Sequence, residues 1–152
     1  MFKKIFLIFI FISLTNCGFV PINNINNKNN ISIQNIKVIG GDRKLNIALQ
    51  RNLKRYQQNI SENPFKITID SSYQKKTVSK DTTGAATKYQ LKATANFEIE
   101  YNGLKDTVTY EETFNIDRTS DDFENRSYEN TVKENFANSI SQKLIFKLLS
   151  VQ

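Results

Sequence analysis

The strongest constraint on the fold is a strict two-residue alternation over residues 88–101. Every odd position there is apolar or aromatic: Tyr89, Leu91, Ala93, Ala95, Phe97, Ile99 and Tyr101. The even positions are polar or charged: Lys88, Gln90, Lys92, Thr94, Asn96, Glu98 and Glu100. Because the side chains of a strand point to alternate faces, this segment predicts a strand with one buried and one solvated face.

A tight hairpin is predicted directly after this strand. Asn102-Gly103 supplies two residues that accept the positive φ angles of a two-residue turn. The partner strand carries apolar residues on one face, namely Val108, Tyr110, Phe114 and Ile116. Glu112 interrupts that face, and we interpret it as the mark of a bulge or a frayed edge; the alternative is a functional buried carboxylate.

Two further strands precede this hairpin in the sequence. Residues 31–39 are rich in β-branched side chains and stop at Gly40-Gly41, which predicts the first strand. Residues 65–74 alternate between apolar and polar positions and predict a second, half-buried strand.

Two helices are predicted from apolar residues at helical spacing. The first follows Asp42, a residue type that caps helices, and must end before Pro64. Its apolar positions are Leu45, Ala48, Leu49, Leu53 and Tyr56. An acidic, cap-rich segment at residues 119–124 opens the second helix. The apolar stripe of that helix, which we interpret as core, is Tyr128, Val132, Phe136, Ile140, Leu144 and Leu148.

The order of elements is therefore β-α-β-β-β-α. A sheet with one apolar face needs cover on that face only, and two amphipathic helices can provide it. We predict an α+β fold, a two-layer sandwich in which a four-stranded, mostly antiparallel sheet carries both helices on one face. Residues 31–152 would form this single domain.

The N-terminus has the pattern of an exported protein. Lys3 and Lys4 precede an apolar run at residues 5–12, and Cys17 follows as the chain's only cysteine. This pattern predicts a lipoprotein signal peptide over residues 1–16, with Cys17 as the acylated first residue of the mature protein. Two or more acyl chains would give stable attachment to a membrane. The alternatives are an ordinary secretory signal, or a membrane-tethered N-terminus with an incidental cysteine.

The segment from Cys17 to residue 30 is predicted to be a flexible tether. It is rich in asparagine and has few side chains that a core would bury. The thirteen residues after Cys17 could extend to roughly 45 Å, enough to hold a domain clear of the lipid.

Groups that carry catalysis are scarce in this sequence. There is no histidine, and the one thiol is assigned to the lipid anchor, so we predict no catalytic residues, no metal site, no cofactor and no enzyme activity. From Cys17 onward the chain has 19 basic and 15 acidic residues, because Lys3 and Lys4 are removed from the 21, a net charge of +4. This excess suits anionic lipid phosphates, and export argues against nucleic acid as a partner.

Two short motifs resemble those of one family. Cys17-Gly18-Phe19-Val20-Pro21 is similar to the Cys-Gly-Phe-x-Pro start of the lipopolysaccharide-assembly lipoprotein LptE family, especially its alphaproteobacterial members. Gly84-Ala85-Ala86-Thr87-Lys88-Tyr89-Gln90-Leu91 resembles that family's Gly-x-Ala-Thr-Arg-Tyr-x-Leu segment, with Lys88 in place of arginine. Residues 22–24 also depart from the Leu-Tyr-Gly that often follows the proline.

The resemblance implies a non-enzymatic role at the outer membrane. Proteins of the LptE family sit inside the large β-barrel LptD, help to assemble it and assist the delivery of lipopolysaccharide to the cell surface. A water-facing sheet would suit the polar interior of a wide barrel, and its predicted partner-facing residues are Lys92, Thr94, Asn96 and Glu98. Gly18, rather than aspartate, after Cys17 is in keeping with the outer membrane.

A lipid-binding site is predicted in the connection between the second and third strands. Ammonium groups pair well with lipid phosphates, and four of them flank residues 77–87, which we expect to form a flexible loop: Lys75, Lys76, Lys80 and Lys88. The alternative is that these lysines are merely solvated charges.

Two other functions remain open at the level of sequence. One is an outer-membrane lipoprotein that scaffolds or activates a periplasmic cell-wall enzyme, because such proteins share the anchor, the tether and a small α/β domain. The other, a hydrolase, would have to work with carboxylates alone.

Overall fold

The computed structural model describes residues 31–151. Its elements are β1 (Ile33–Gly40), α1 (Arg43–Lys54), a short 3₁₀ helix (Arg55–Gln58), β2 (Phe65–Lys80), β3 (Ala86–Tyr101), β4 (Leu104–Asp117) and α2 (Asp122–Leu149). The predicted order β-α-β-β-β-α is confirmed. The predicted signal peptide (residues 1–16) and the tether with Cys17 (residues 17–30) lie outside the described residues.

The four strands form one mixed sheet in the order β1-β2-β3-β4. β2 pairs antiparallel with β3, and β3 antiparallel with β4, whereas β1 is parallel to β2 and is joined to it through α1. The β3–β4 turn is the predicted Asn-Gly hairpin, with φ of 51° at Asn102 and 76° at Gly103. The sheet is therefore mostly antiparallel, as predicted.

The core lies between the sheet and the two helices. The apolar residues of β3 face it and are fully or almost fully buried: Leu91, Ala93, Ala95, Phe97 and Ile99. Helix α1 contributes Leu45, Leu49 and Leu53. The polar side chains of β3 lie on the opposite surface, which we call the open face. No helix within residues 31–151 combines the length and apolar character that crossing a membrane requires.

The stripe predicted for α2 is buried except at its first member. Val132, Phe136, Ile140, Leu144 and Leu148 are in the core, whereas Tyr128 is 47% exposed. An α-helix turns about 100° per residue, so a constant spacing of four moves the stripe by about 40° at each step. Tyr128, at the far end of the stripe, consequently lies at the margin of the contact.

The interpretation of Glu112 as a bulge or a frayed edge was wrong. β3 and β4 pair without a register shift through this position. Glu112 faces the helix side, where its carboxylate accepts hydrogen bonds from the Ser139 hydroxyl and the Lys143 ammonium, each at 2.6 Å. Burial opposes ionisation of Glu112, but these two bonds outweigh it and hold its pKa below the usual value. An edge strand can place a carboxylate on its inner face when the helix above supplies the partners.

The loop predicted at residues 77–87 was also wrong. β2 continues to Lys80 and β3 begins at Ala86, so only residues 81–85 form the connection. The side chains of residues 76–88 are exposed or half-buried on both faces. Without a buried face the sequence has no apolar alternation, and the signal that predicts strands is lost.

Candidate functional site

Residues 76–88 form the tip of a long β2–β3 hairpin, and we call them the hairpin tip. The last ion pair between β2 and a helix joins Lys75 to Glu129 of α2 at 2.8 Å, and the side chains beyond it are exposed or half-buried. The pairing of β2 with β3 shifts register twice here, around Ser79. Such irregularities increase the local twist of a strand pair.

A single carboxylate organises the turn of the hairpin tip. Asp81 Oδ1 accepts hydrogen bonds from the Thr83 hydroxyl at 2.6 Å and from the backbone N–H groups of Thr83 and Ala85, each at 2.9 Å. These bonds, the one from the Thr83 hydroxyl foremost, lower the pKa of Asp81. Gly84 adopts a φ of 86°, which suits glycine. The connection is thus a defined turn.

The four predicted lipid-binding lysines do not form one cluster. Lys75 pairs with Leu91 across the sheet and so lies on the helix face, where it also stands over the Tyr89 ring at 4.5 Å. Lys76 lies on the open face, opposite Gln90. Lys88 is paired with Asp117 at 3.4 Å. Among residues 31–151, Lys76 and Lys80 have no ion-pair partner and remain available for an anion.

A network of charges fixes the base of the hairpin to both helices. Lys133 of α2 contacts the carboxylate of Asp42, the N-cap of α1, at 2.9 Å, and its ammonium stands 3.8 Å from the ring centre of Tyr73 in β2. Glu129, one helical turn before Lys133, holds Lys75. Burial raises the pKa of Tyr73 strongly, and the nearby Glu129 carboxylate adds to the rise. The direction of the hairpin is therefore set by both helices.

The network makes stability depend on pH. Burial opposes ionisation of both Asp42 and Glu129. At Asp42 this effect is outweighed by the hydrogen bond from the Leu45 N–H and by Lys133, and the pKa is lowered. At Glu129 it is outweighed by Lys75, and the pKa is lowered as well. A carboxyl group with a lowered folded-state pKa stabilises the fold above its unfolded pKa, about 3.9–4.3. That contribution is lost as the pH falls through the folded-state pKa.

We expect Lys133→Met to lower the free energy of unfolding by about 1–2 kcal/mol at pH 7. The Asp42 carboxylate and the Tyr73 ring, both partly buried, would each lose the ammonium group that contacts them. The deficit should shrink at acid pH, below the unfolded pKa of about 3.9, as Asp42 becomes protonated in both proteins. Urea unfolding at both pH values measures this. Lys37→Met, at an exposed lysine of β1, is the control and should have little effect. An equal loss at both pH values would contradict the electrostatic account.

The open face carries the four predicted partner-facing residues. Lys92 pairs with Glu111 at 2.7 Å, Glu98 with Lys105 at 2.7 Å, and Asn96 accepts a hydrogen bond from the Thr109 hydroxyl at 2.7 Å. Thr94 lies opposite Ser72. The charges of Lys92 and Glu98 on β3 are thus neutralised by residues of β4. The open face is therefore a hydrated surface rich in hydrogen-bonding groups. Such a surface suits a polar partner better than an apolar one.

Two residues that position the hairpin were not found from the sequence. The sequence pattern assigns no role to Glu129 or Lys133 of α2, because the residues they contact are 54 to 91 positions away in the chain. Their spacing of four places both on one helix face, which is the only signal the sequence offers. Their partners could be identified only from the packing of α2 on β2 and α1.

Comparison with known proteins gives a likeness of fold. No protein-family model matches the chain, and no curated protein sequence matches it. Among solved structures, rare lipoprotein B from Shewanella oneidensis is similar, with a TM-score of 0.57 and 15% identity over 77% of this chain and 98% of that one.

Two further lipoprotein structures are similar in the same way. A minor lipoprotein from Acinetobacter baumannii has a TM-score of 0.52 and 15% identity, over 75% of this chain and 94% of that one. A candidate lipoprotein from Caulobacter crescentus CB15 has a TM-score of 0.53 and 13% identity, over 76% and 88%. At these identities the shared property is the fold. This chain therefore has a fold that bacterial lipoproteins also have.

Proposed function

We propose that this chain is an outer-membrane lipoprotein of lipopolysaccharide transport, which plugs and helps to assemble an LptD-like β-barrel and assists insertion of lipopolysaccharide at the cell surface. The observation that carries the proposal is the fold, which three lipoprotein structures match over 88–98% of their own chains. The lipoprotein-type N-terminus ending at Cys17 and the motifs that resemble the LptE family support it.

The two surfaces of the site receive separate roles in this proposal. The open face, with its neutralised rows of polar side chains, would face the water-filled interior of the barrel. The hairpin tip would contact lipid phosphates through Lys76 and Lys80, which lack ion-pair partners among the described residues, and through Lys88, whose contact with Asp117 is long at 3.4 Å.

Co-purification from the native membrane tests the proposal. A C-terminally tagged copy is extracted in mild detergent, and its partners are identified and quantified by mass spectrometry. A large outer-membrane barrel recovered near one-to-one would support the plug function. Recovery of a cell-wall synthase instead would favour the alternative, a scaffold or activator of a periplasmic cell-wall enzyme. Recovery of no barrel would refute the proposal.

The hairpin tip yields a prediction of its own. We expect simultaneous substitution of Lys76, Lys80 and Lys88 by Ala to weaken binding to purified lipopolysaccharide roughly tenfold to a hundredfold at low salt, because each ammonium contributes up to about 1 kcal/mol near an anionic surface. The difference from the unmodified protein should shrink as salt is added. Lys75→Ala should have a smaller effect, since Glu129 already neutralises Lys75.

A matched control separates the site from net charge. Lys37, Lys44 and Lys54 are exposed on β1 and α1, and their combined substitution by Ala removes the same charge elsewhere on the domain. Equal weakening in the two triple variants would show that only net charge matters. Unchanged binding in the hairpin-tip variant would remove the lipid-binding role of these lysines.

A further inference from the structure

The two edges of the sheet differ in how they are protected. β1, at one edge, is 8 residues long and pairs with β2 through two register shifts. β4, at the other edge, has 14 residues, contains no proline, and follows β3 without a register shift. Exposed edge strands usually carry bulges, prolines or very short lengths that prevent pairing with another chain. β4 has none of these three devices, and its charged residues Glu111 and Glu112 are already paired with lysines of β3 and α2. Its edge is therefore long, regular and available for pairing.

The pairing pattern shows which backbone groups of β4 face outward. Arg118 N–H donates to the Thr87 carbonyl at 2.9 Å, in register with the β3–β4 ladder, so the even-numbered residues of β4 bond to β3. The odd-numbered residues therefore point away from the sheet. At Thr107 the outward N–H is taken by the Asp106 carboxylate at 2.8 Å. From that point the outward groups belong to Thr109, Glu111, Thr113, Asn115 and Asp117.

A groove runs beside this edge, between β4 and α2. One part, of about 290 Å³, has Val132 and Phe136 among its lining residues. Phe114 and Tyr128, which are 45% and 47% exposed, also line it. If another polypeptide paired with the edge of β4, this part would hold an apolar side chain that points toward α2.

The second part of the groove is acidic. It has a volume of about 440 Å³, shares Tyr128 with the first part, and has Asp117 and Glu124 but no lysine or arginine among its lining residues. The Asp117 carboxylate is paired with Lys88, so Glu124 supplies the negative charge of this part. Glu124 lies in the first turn of α2 and forms no ion pair within residues 31–151. A basic side chain would complement this part of the groove.

We propose that β4 accepts an extended strand of a partner protein, added antiparallel to the sheet. The occupant has an alternating pattern, with a basic residue that reaches Glu124, followed about four residues later by an apolar residue beside Phe114. Alternating outward N–H and C=O groups match the backbone of a polypeptide, so main-chain bonds provide affinity and the two parts of the groove provide specificity. This inference is independent of the proposed role in lipopolysaccharide transport.

A peptide probe tests the proposal on the full-length protein in detergent. The probe is a fluorescein-labelled nonapeptide, Thr-Arg-Thr-Val-Thr-Leu-Thr-Val-Thr, and binding is followed by fluorescence anisotropy. We expect saturable binding, together with slower hydrogen exchange at Thr109, Thr113 and Asn115. The same peptide with alternate backbone nitrogens methylated on the edge that faces β4 cannot donate to β4 and should bind at least tenfold more weakly.

Thr113 provides the matched pair of protein variants. Thr113→Pro removes an outward N–H while leaving the ladder to β3 intact, since proline is tolerated on the free side of an edge strand. It should weaken peptide binding at least tenfold, whereas Thr113→Val retains the N–H and should bind as the unmodified protein does. Equal affinity of the two variants for the peptide would overturn the proposal.

A charge exchange supplies a test that does not depend on how well Thr113→Pro folds. Glu124→Lys should weaken binding of the arginine peptide and strengthen binding of a peptide with glutamate in place of arginine. Absence of saturable binding up to ~1 mM peptide would overturn the proposal. So would concentration-dependent dimerisation by analytical ultracentrifugation that Thr113→Pro abolishes, because the occupant would then be a second copy of this chain.

Discussion

Gly41→Ala is expected to abolish folding, or to lower the free energy of unfolding by at least about 3 kcal/mol. Gly41 has a φ of 103°, in the region that favours glycine, at the junction of β1 and α1. A Cβ added there would lie 1.8 Å from the Ser71 carbonyl oxygen of β2. Backbone cannot move aside as a flexible side chain can, so the β1–β2 pairing or the start of α1 would have to shift.

Gly84→Ala is the control for this prediction. Gly84 also has a positive φ, of 86°, but a Cβ added there would meet nothing within 4 Å. It should therefore show the conformational cost alone, about 1–3 kcal/mol. Urea unfolding monitored by circular dichroism measures both variants. Equal losses would show that backbone conformation, not the contact with Ser71, makes glycine necessary at position 41.

Phe97→Ala is expected to lower the free energy of unfolding by about 3–5 kcal/mol, because it removes a large buried ring and leaves a cavity that the core fills only in part. Phe97 is 0% exposed and lies at the middle of β3, between Ile69 of β2 and Val108 of β4. Its ring is 6.2 Å from that of Tyr110. A domain of this size has about 5–15 kcal/mol of stability in total, so the variant should lose a large part of it.

Asn96→Ala is the matched control, one residue away on the open face. It removes the hydrogen bond from the Thr109 hydroxyl at an exposed position and should change the free energy of unfolding by about 0.5 kcal/mol or less. Equilibrium denaturation of the two variants gives the comparison directly. A loss at Phe97 no larger than that at Asn96 would show that the two-layer core between the sheet and the helices is wrong.

Much of the fold could be predicted because local patterns and tertiary packing agree. The alternation in β3, the Asn102-Gly103 turn and the capping residue Asp42 each act over a few residues, and each is found where predicted. The apolar stripe of α2 also lies in the core, with the exception of Tyr128. Burial of one face determines these patterns, so they can be seen without knowledge of distant contacts.

The candidate site was less predictable because its residues are exposed. The sequence predicts that Lys75, Lys76, Lys80 and Lys88 surround a loop, and their role in lipid binding stays a prediction. In the structure all four lie on strands, with Lys75 and Lys76 on opposite faces of the sheet. Their availability is decided by acidic partners on other elements, Glu129 for Lys75 and Asp117 for Lys88. Exposed positions have no periodic signal that would identify such partners.

The sequence by itself determined the order of the elements, the buried face of the sheet and the type of turn between β3 and β4, since these depend on side-chain periodicity and on residues that accept positive φ. The tertiary structure alone decided that β1 is parallel to β2, that Glu112 is satisfied by α2, and that the edge of β4 lies open beside an acidic groove. These features are contacts between residues far apart in the chain, and such contacts exist only once the helices have packed on the sheet.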